Sequence, residues 1–387
     1  MSDVFFGFRR AKGLPGVRNH VLVLPSVVCS TDVARQVADA VPGAVCAENQ
    51  VGCSQIGADR DLTAQVLAGI GANPNVWGVV VIGLGCEAVP SGELQEAIAP
   101  WGKPVRAFDI QDVGGTRKSV ALGVEYARQM VAEAAQQPRE PFPLSDLVLA
   151  TECGGSDAWS GVTGNPVIGA AADLLVEAGG TVILAETTEL IGAEHVLAAR
   201  ACSPEVAEQV LATVRRMEQR VIDYGADIRG GNPTPGNMVG GITTLEEKSL
   251  GCVHKGGTSV VQEVVGYGER PTRTGLVVMD TPGQDIEQIT GMLAGGAQVV
   301  VFSTGRGSPV GSSVAPVVKT ATTTALFERM PDDMDLDAGG VISRGESVDA
   351  VGARLLERVI RVASGELTCA ERNGHREFAI HRIGPTV

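Results

Sequence analysis

The chain has 387 residues, of which 44% are hydrophobic and 4% aromatic, with 50 glycines and a formal net charge of −14. This length allows two or three domains with a large buried core. The negative charge argues against a nucleic-acid or anionic-membrane partner, because both need a basic surface, whereas local loops decide whether a small anionic substrate binds.

The first part of the chain alternates strands and helices. Predicted strands cover 21–28, 45–47, 77–82 and 104–110, and predicted helices cover about 31–40, 61–72, 92–99 and 116–135. This alternation predicts a mostly parallel sheet with right-handed crossovers. Residues 134–143 contain three prolines and no apolar period, so we expect a linker there. We therefore expect an N-terminal α/β domain over 1–137 and a C-terminal α/β domain over 138–387.

The second domain opens with a strand–loop–helix–strand unit. Its predicted strands cover 147–150 and 181–185, and the helix between them begins at Asn165-Pro166 and ends at Gly179-Gly180. Further strands are predicted over 275–279 and 298–302, and helices over 203–224, 284–294 and 348–363. Residues 230–257 are predicted to be irregular and functional. The expected fold class is α/β, with two Rossmann-like units whose sheets are mostly parallel.

Three cysteines form the strongest pattern in the sequence. Cys53, Cys86 and Cys153 each follow a predicted strand and each adjoin a glycine. Three thiolates would leave one position of a [4Fe–4S] cluster, or of a single soft divalent ion, open to substrate. The alternative is that each is a small core residue, since cysteine tolerates burial well.

Carboxylates also gather where strands end. Glu152, Asp157, Glu186 and Glu189 all follow predicted strands. Carboxylates brought together at the carboxyl edge of a sheet can hold a metal ion or act as general acids and bases. Helix capping by Asp157 and simple solvation of Glu189 are the alternatives.

The loop over 303–308 has the composition of an anion site. Arg306 would offer a two-donor fork, and the neighbouring glycines would give access to backbone N–H groups. Lys319, and Lys248 and Lys255 in the long stretch 230–257, would add positive charge. His254 is the one histidine in a candidate site loop, although a single histidine is also commonly structural.

Other signals are missing from the sequence. The glycine loops do not match a Walker A motif, the GLGCE run at 83–87 lacks the Rossmann glycine spacing, and no Ser–His–Asp set can be placed. The eight cysteines are too dispersed for a disulfide scaffold, the N-terminus lacks a signal peptide, and no stretch approaches about 20 apolar residues. These observations predict a cytoplasmic protein with reduced thiols.

Several long motifs carry a family resemblance. The runs are GLGCE (83–87), TECGGSD (151–157), SGVTGNPVIG (160–169), AETTELIGAEH (185–195), NPTPGNMVGGITTLEEKSLGCVHKGG (232–257) and FSTGRGSPVG (302–311). Over nearly the whole chain, the sequence resembles the altronate/galactarate dehydratase family. The resemblance implies an iron-dependent lyase acting on a 2-hydroxy acid, with the N-terminal region similar to the family's second domain and the remainder to its third.

Two departures from the sugar-acid enzymes bear on the substrate. The small SAF domain that precedes this region in those enzymes has no counterpart here, and the residues before Gly52-Cys53 include no histidine. Both features are similar to the large subunits of sulfolactate sulfo-lyases, which work with a separate small SAF-domain subunit. The resemblance thus implies conversion of (2R)-3-sulfolactate to pyruvate and sulfite by a hetero-oligomer. The alternatives are a sugar-acid dehydratase that releases water and a non-catalytic binding subunit.

The implied reaction is a β-elimination in which a metal acidifies the C2 proton, a base removes it and the C3 group leaves. The implied cofactor is iron, as Fe²⁺ or a [4Fe–4S] cluster, held by Cys53, Cys86 and Cys153. Candidates for acid–base catalysis are Glu186, Glu189, Lys248, His254 and Lys255, without one being singled out as the base. Candidates for binding the small anionic hydroxy acid are Ser156, Asp157, Asn165, Thr304, Gly305 and Arg306.

Overall fold

The computed structural model describes residues 2–387, which contain thirteen strands. They are β1 (Val4–Gly7), β2 (His20–Pro25), β3 (Ala44–Cys46), β4 (Val76–Gly83), β5 (Val105–Asp109), β6 (Glu140–Pro143), β7 (Val148–Cys153), β8 (Thr181–Leu184), β9 (Val261–Val265), β10 (Gly275–Met279), β11 (Val299–Thr304), β12 (Val317–Ala321) and β13 (Leu336–Asp337).

Fifteen α-helices connect and cover these strands. They are α1 (Thr31–Asp39), α2 (Ala58–Gly71), α3 (Ser91–Ile98), α4 (Ile110–Val113), α5 (Thr116–Ala134), α6 (Asn165–Glu177), α7 (Glu194–Ala198), α8 (Pro204–Asp223), α9 (Pro235–Val239), α10 (Leu245–Cys252), α11 (Asp285–Ala294), α12 (Thr324–Arg329), α13 (Gly340–Ser343), α14 (Val348–Ala363) and α15 (Cys369–Asn373). Within residues 2–387, every helix is too short or too polar to cross a membrane.

The strands form two parallel sheets and one antiparallel pair. The larger sheet has seven strands in the order β13-β12-β11-β7-β8-β10-β9, and the smaller has four in the order β3-β2-β4-β5. Strands β1 and β6 pair antiparallel. The prediction of an α/β fold with two units and mostly parallel sheets is confirmed.

Alternate residues of the central strands enter two different cores. On β11, Val299 and Val301 lie in a core shared with α6 and α14, whereas Val300 and Phe302 lie in a core on the opposite face. This alternation follows from the two-residue period of a strand, and both faces must be apolar because helices cover both. Each fully buried aliphatic side chain stabilises the fold by roughly 1.5–3 kcal/mol.

The core that contains Phe302 joins the two sheets. It combines Leu22 and Val79 of the smaller sheet with Ile183 and Val277 of the larger one. Because one apolar core serves both sheets, their carboxyl edges hold a fixed relation to each other.

Two segments differ from the prediction. The irregular stretch expected over 230–257 contains the helices α9 and α10, whose first turns are capped by the side chains of Thr234 and Thr244. The glycines and polar residues of this stretch obscure the helical periodicity of its apolar side chains. The capping threonines are the sequence feature that marks the two helices. The second half of the expected linker is strand β6, which pairs with β1.

The side chain of Asn75 links three other segments of the chain by hydrogen bonds at this shared core. It is fully buried, its Oδ1 accepts from Val17 N at 2.9 Å, and its Nδ2 donates to Gln298 O at 2.9 Å and Val314 O at 3.2 Å. These bonds satisfy backbone groups that water cannot reach.

We predict that Asn75→Ala lowers the free energy of unfolding by about 2–4 kcal/mol, because it strands several buried backbone groups. Urea unfolding followed by circular dichroism measures this change. Asn373→Ala is the control, since Asn373 is exposed and should change stability by less than about 0.5 kcal/mol. Equal effects of the two substitutions would contradict the role of Asn75.

Candidate active site

The candidate site lies at the carboxyl edge of the larger sheet. Cys153 is the last residue of β7, Glu186 follows β8, and Thr304 ends β11. Strands β11, β7 and β8 are neighbours in the sheet, so their ends converge. Ligands of open α/β sheets bind at this edge.

Two thiols and two carboxyls meet there. The ligand atoms of Cys153, Glu186, Glu189 and Cys252 all lie within 4.8 Å of one another, and all four side chains are buried. Cys252 comes from the end of α10, whereas Cys153 ends β7 and the two glutamates follow β8. Among residues 2–387 this is the group of thiol, imidazole and acidic side chains close enough to share a metal ion.

The ammonium group of Lys255 sits inside this cluster. Its Nζ lies 3.0 Å from Cys153 Sγ and 3.2 Å from Cys252 Sγ, and it forms an ion pair with Glu186. The side chains of Lys255 and Glu186 are both 0% exposed. A buried ammonium of this kind is tolerated only with such partners.

The backbone at Glu186 is held in an unusual conformation. Its φ is +71°, a left-handed value that is rare for a residue with a side chain. Glu186 N donates to Thr281 Oγ1 at 2.8 Å, and Glu186 Oε1 accepts from Cys153 N at 3.0 Å. These bonds aim the carboxylate at the two thiols, at a conformational cost of roughly 1–3 kcal/mol.

Lys248 and Glu189 form a second ion pair beside the thiols. Lys248 Nζ lies 2.5 Å from Glu189 Oε1 and donates to Asn232 Oδ1 at 3.0 Å. Burial raises the pKa of Glu189 to about 7, although Lys248 opposes the shift. Burial acts to lower the pKa of Lys248, but Glu189 outweighs it and the pKa is raised.

The thiols differ in character. The hydrogen bond from Cys252 and the charge of Lys255 hold the pKa of Cys153 well below its usual range, despite burial. Burial and the neighbouring Cys153 raise the pKa of Cys252 well above its usual range. These shifts favour the thiolate form of Cys153 and the thiol form of Cys252, whose Sγ donates to Glu186 Oε2 at 2.8 Å.

A cavity of about 230 Å³ opens directly on this cluster. Its wall includes the predicted residues Cys153, Ser156, Asp157, Asn165, Lys248 and His254. Ser156 Oγ and Asn165 Oδ1 are buried and have no hydrogen-bond partner within residues 2–387. Buried polar atoms normally have partners, so these two are suited to a bound polar ligand.

The loop 303–308 stands behind the cavity wall. Gly305 packs so closely on Asp157 that a Cβ there would lie 2.1 Å from its carboxyl carbon. Thr304 Oγ1 accepts from the backbone N–H groups of Gly307 and Ser308 at 3.1 and 3.0 Å. Arg306 is exposed and, within residues 2–387, has no carboxylate within 4.0 Å.

Cys53 and Cys86 lie elsewhere. Both thiols are exposed, in loops at the carboxyl edge of the smaller sheet. These loops adjoin each other, because Ala88 N donates to Gly52 O at 2.9 Å. The structure brings neither thiol into the cluster around Cys153, and a shared iron site of these three cysteines stays a prediction.

A second buried group occupies the opposite face of the same strand ends. Glu152, Phe302 and Lys319 are register partners on β7, β11 and β12. Lys319 Nζ lies 3.8 Å from the centre of the Phe302 ring and donates to Ser308 O at 3.0 Å. Burial raises the pKa of Glu152 well above its usual range, and burial lowers the pKa of Lys319 to about 7 against the attraction of Asp285.

Cys252 was absent from the predicted site residues, whereas the sequence had singled out Glu152 as a strand-end carboxylate and Lys319 as a source of positive charge. For Cys252 a signal existed, because Cys252 and Lys255 are three residues apart in a capped helical segment and so lie on one face. Lys319 and Glu152 each lie in an otherwise largely apolar buried strand, where a charged side chain requires a partner.

The donor set fits a borderline divalent metal ion. Two sulfurs and two carboxyl groups are ligands that iron and zinc accept in proteins. Lys255 supplies the positive charge at this position in the structure, so its ammonium would have to release the thiols and Glu186 for an ion to be held.

The fold and the site thus define a protein of the α/β class with a small cavity on a buried thiol–carboxyl cluster. The D-galactarate dehydratase/altronate hydrolase second-domain family matches residues 7–135, and the D-galactarate/altronate dehydratase C-terminal family matches residues 144–386. The chain therefore belongs to the galactarate/altronate dehydratase family. This is a family of lyases.

Named relatives cover nearly the whole chain. Altronate dehydratase of Bacillus subtilis (strain 168) is 37% identical over 100% of this chain and 79% of its own length. The beta subunit of (2R)-sulfolactate sulfo-lyase of Chromohalobacter salexigens is 38% identical over 98% of this chain and 97% of its own length. Galactarate dehydratase (L-threo-forming) of Escherichia coli (strain K12) is 38% identical over 82% of this chain and 62% of its own length.

We predict that Cys153→Ser and Cys252→Ser each lower the iron bound per chain at least about fivefold, because each removes a soft ligand from the buried cluster. Elemental analysis of anaerobically purified, iron-loaded protein measures the loss. Cys369→Ser is the control, a buried thiol outside the cluster. If Cys252→Ser retains iron while Cys53→Ser and Cys86→Ser lose it, the iron is bound instead by the three thiols predicted from the sequence.

A pH dependence follows from Lys319. Its pKa is about 7 in the fold and about 10.5 in the unfolded chain, so the stability carried by its neutral amine is present above pH 10.5 and lost as the pH falls through 7. Lys319→Met cannot lose this stability. The free energy of unfolding of Lys319→Met minus that of the wild type should therefore be about 3 kcal/mol more positive at pH 6.5 than at pH 9.5. Urea unfolding at both pH values measures the difference. The exposed Lys118→Met should show no such dependence, and a flat difference for Lys319→Met would refute the shift.

Proposed function

We propose that the chain is the large subunit of a two-subunit lyase that converts (2R)-3-sulfolactate to pyruvate and sulfite. The observation that carries this proposal is the cavity itself, which is small, is lined by both polar and apolar side chains, and opens to Cys153 and Lys248 at the sheet's carboxyl edge. Similarity to the sulfo-lyase beta subunit, which is 38% identical over 98% of this chain, supports the choice of substrate.

The substrate carboxylate is proposed to bind near Lys248, the cationic side chain of the cavity wall. The 2-hydroxyl would take the free acceptor Asn165 Oδ1 and the free hydroxyl of Ser156 as partners. These two atoms lie buried with no protein partner, so a ligand that supplies both a donor and an acceptor is favoured.

His254 is the proposed base. It lines the cavity, and desolvation there together with the positive charge of Arg200 lowers its pKa, so the imidazole is neutral at pH 7. It would accept the proton from C2 while the C3–S bond breaks and its electron pair leaves with sulfite. The resulting C2–C3 double bond makes enolpyruvate, which tautomerises to pyruvate.

The cluster beside the cavity is the proposed iron site. Cys153, Glu186, Glu189 and Cys252 would hold the ion, which when bound would supply Lewis-acid polarisation of the substrate and so acidify its C2 proton. Lys255 would neutralise the same cluster when no ion is bound, which keeps the carboxyl and thiol groups in place.

The test is an assay of sulfite and pyruvate release from (2R)-3-sulfolactate by iron-loaded protein, alone and with a separate small SAF-type subunit. We expect equimolar products with the small subunit present and little activity without it. His254→Gln should lower kcat at least about 100-fold with iron content unchanged. The exposed His195→Gln is the control and should leave kcat unchanged.

Other results would overturn the proposal in distinct ways. Release of water from altronate, with sulfolactate unreacted, would make the chain a sugar-acid dehydratase. Failure of both reactions together with absence of bound iron would favour a non-catalytic binding subunit. Full activity of the isolated chain would remove the need for a partner.

A further inference from the structure

We propose that Lys319 is a positioning residue. It holds the loop 304–308, and with it Arg306, in the conformation that binds the sulfonate group of the substrate. This inference rests on the proposed function for the identity of the substrate. The juxtaposition that carries it is a fully buried lysine amino group whose hydrogen bond, within residues 2–387, goes to the backbone of the loop that bears Arg306.

The loop is fixed at both ends. At its start, Gly305 N and Arg306 N both donate to Gly155 O, at 3.2 and 2.9 Å. At its end, Lys319 Nζ donates to Ser308 O at 3.0 Å. Arg306 lies between these two attachments, so its backbone is held while its guanidinium stays free of protein carboxylates.

Lys319 is itself rigidly placed. Its backbone N–H donates to Asp335 Oδ2 at 2.9 Å, and its carbonyl accepts from Asp335 N at 2.9 Å. Its ammonium lies over the ring of Phe302, at 3.8 Å from the centroid, which is a stabilising cation–π geometry. Burying a lysine this completely is unfavourable, so a position that retains one needs a reason beyond packing.

The loop also contacts the wall of the cavity. Gly305 packs against Asp157, and Asp157 accepts a hydrogen bond from Thr322 Oγ1 at 3.2 Å. Lys319 is the middle residue of β12 and Thr322 directly follows the strand, so β12 supports both the loop and the wall. Loss of the bond to Ser308 should therefore loosen Arg306 more than it disturbs the thiol cluster, which lies on the other face of the sheet.

The test is Lys319→Met beside Arg306→Ala and the double variant. We expect Lys319→Met to raise the KM for sulfolactate roughly tenfold with kcat changed less than about threefold, because an interaction with the bound substrate is lost. In the Arg306→Ala background Lys319→Met should add less than about twofold, since Lys319 acts through Arg306. Lys103→Met is the matched control, because Lys103 also donates to backbone carbonyls, of Asn73 and Val76, at the opposite edge of the smaller sheet.

A second measurement does not depend on turnover. Hydrogen exchange of the peptide over 304–308 should be faster in Lys319→Met than in the wild type and unchanged in Lys103→Met. Calorimetry should show that methanesulfonate binds Lys319→Met roughly tenfold more weakly than it binds the wild type. An inactive wild type that shows both changes would refute the proposed reaction but support the role of Lys319. An unchanged exchange rate, or a full tenfold effect in the Arg306→Ala background, would overturn that role.

Discussion

The ammonium group of Lys255 is the constraint on which the site depends. A charge that is completely removed from water destabilises a protein unless good partners surround it, and here two sulfurs and the Glu186 carboxylate do so. The segment 253–257 can bring this lysine so deep because it packs directly on α6 at Gly169. A Cβ at Gly169 would lie 2.0 Å from the carbonyl oxygen of His254. The glycine thus permits the approach that places both His254 and Lys255.

The end of β7 connects two buried polar groups through a single peptide unit. Glu152 and Cys153 are consecutive, so their side chains leave opposite faces of the sheet. Cys153 meets Glu186, Cys252 and Lys255, whereas Glu152 shares its face with Phe302 and Lys319. A displacement at this strand end would therefore disturb the cluster beside the cavity and the support of the 304–308 loop together.

Much of the architecture could be predicted from the sequence. The apolar runs of β4, β7 and β11 identify buried parallel strands without further information, because only strands covered on both faces are apolar throughout. Cys153 ends β7 and Glu186 follows β8, and because these strands are neighbours in the sheet the two side chains lie close together. The helices α9 and α10 were missed, because their glycines mask the period and only the capping threonines mark them.

The sequence by itself thus determined the succession of strands and helices along the chain, the polar residues after each strand and the family motifs. Only the tertiary structure decided which strand ends meet. Cys53, Cys86 and Cys153 carry the same local pattern, but the first two follow strands of the smaller sheet and are exposed. Cys252 and Lys319 became site neighbours through helix docking and sheet register. The contact of Cys252 with Glu186 spans 66 residues along the chain and that of Lys255 with Cys153 spans 102, and no local preference of the backbone encodes them.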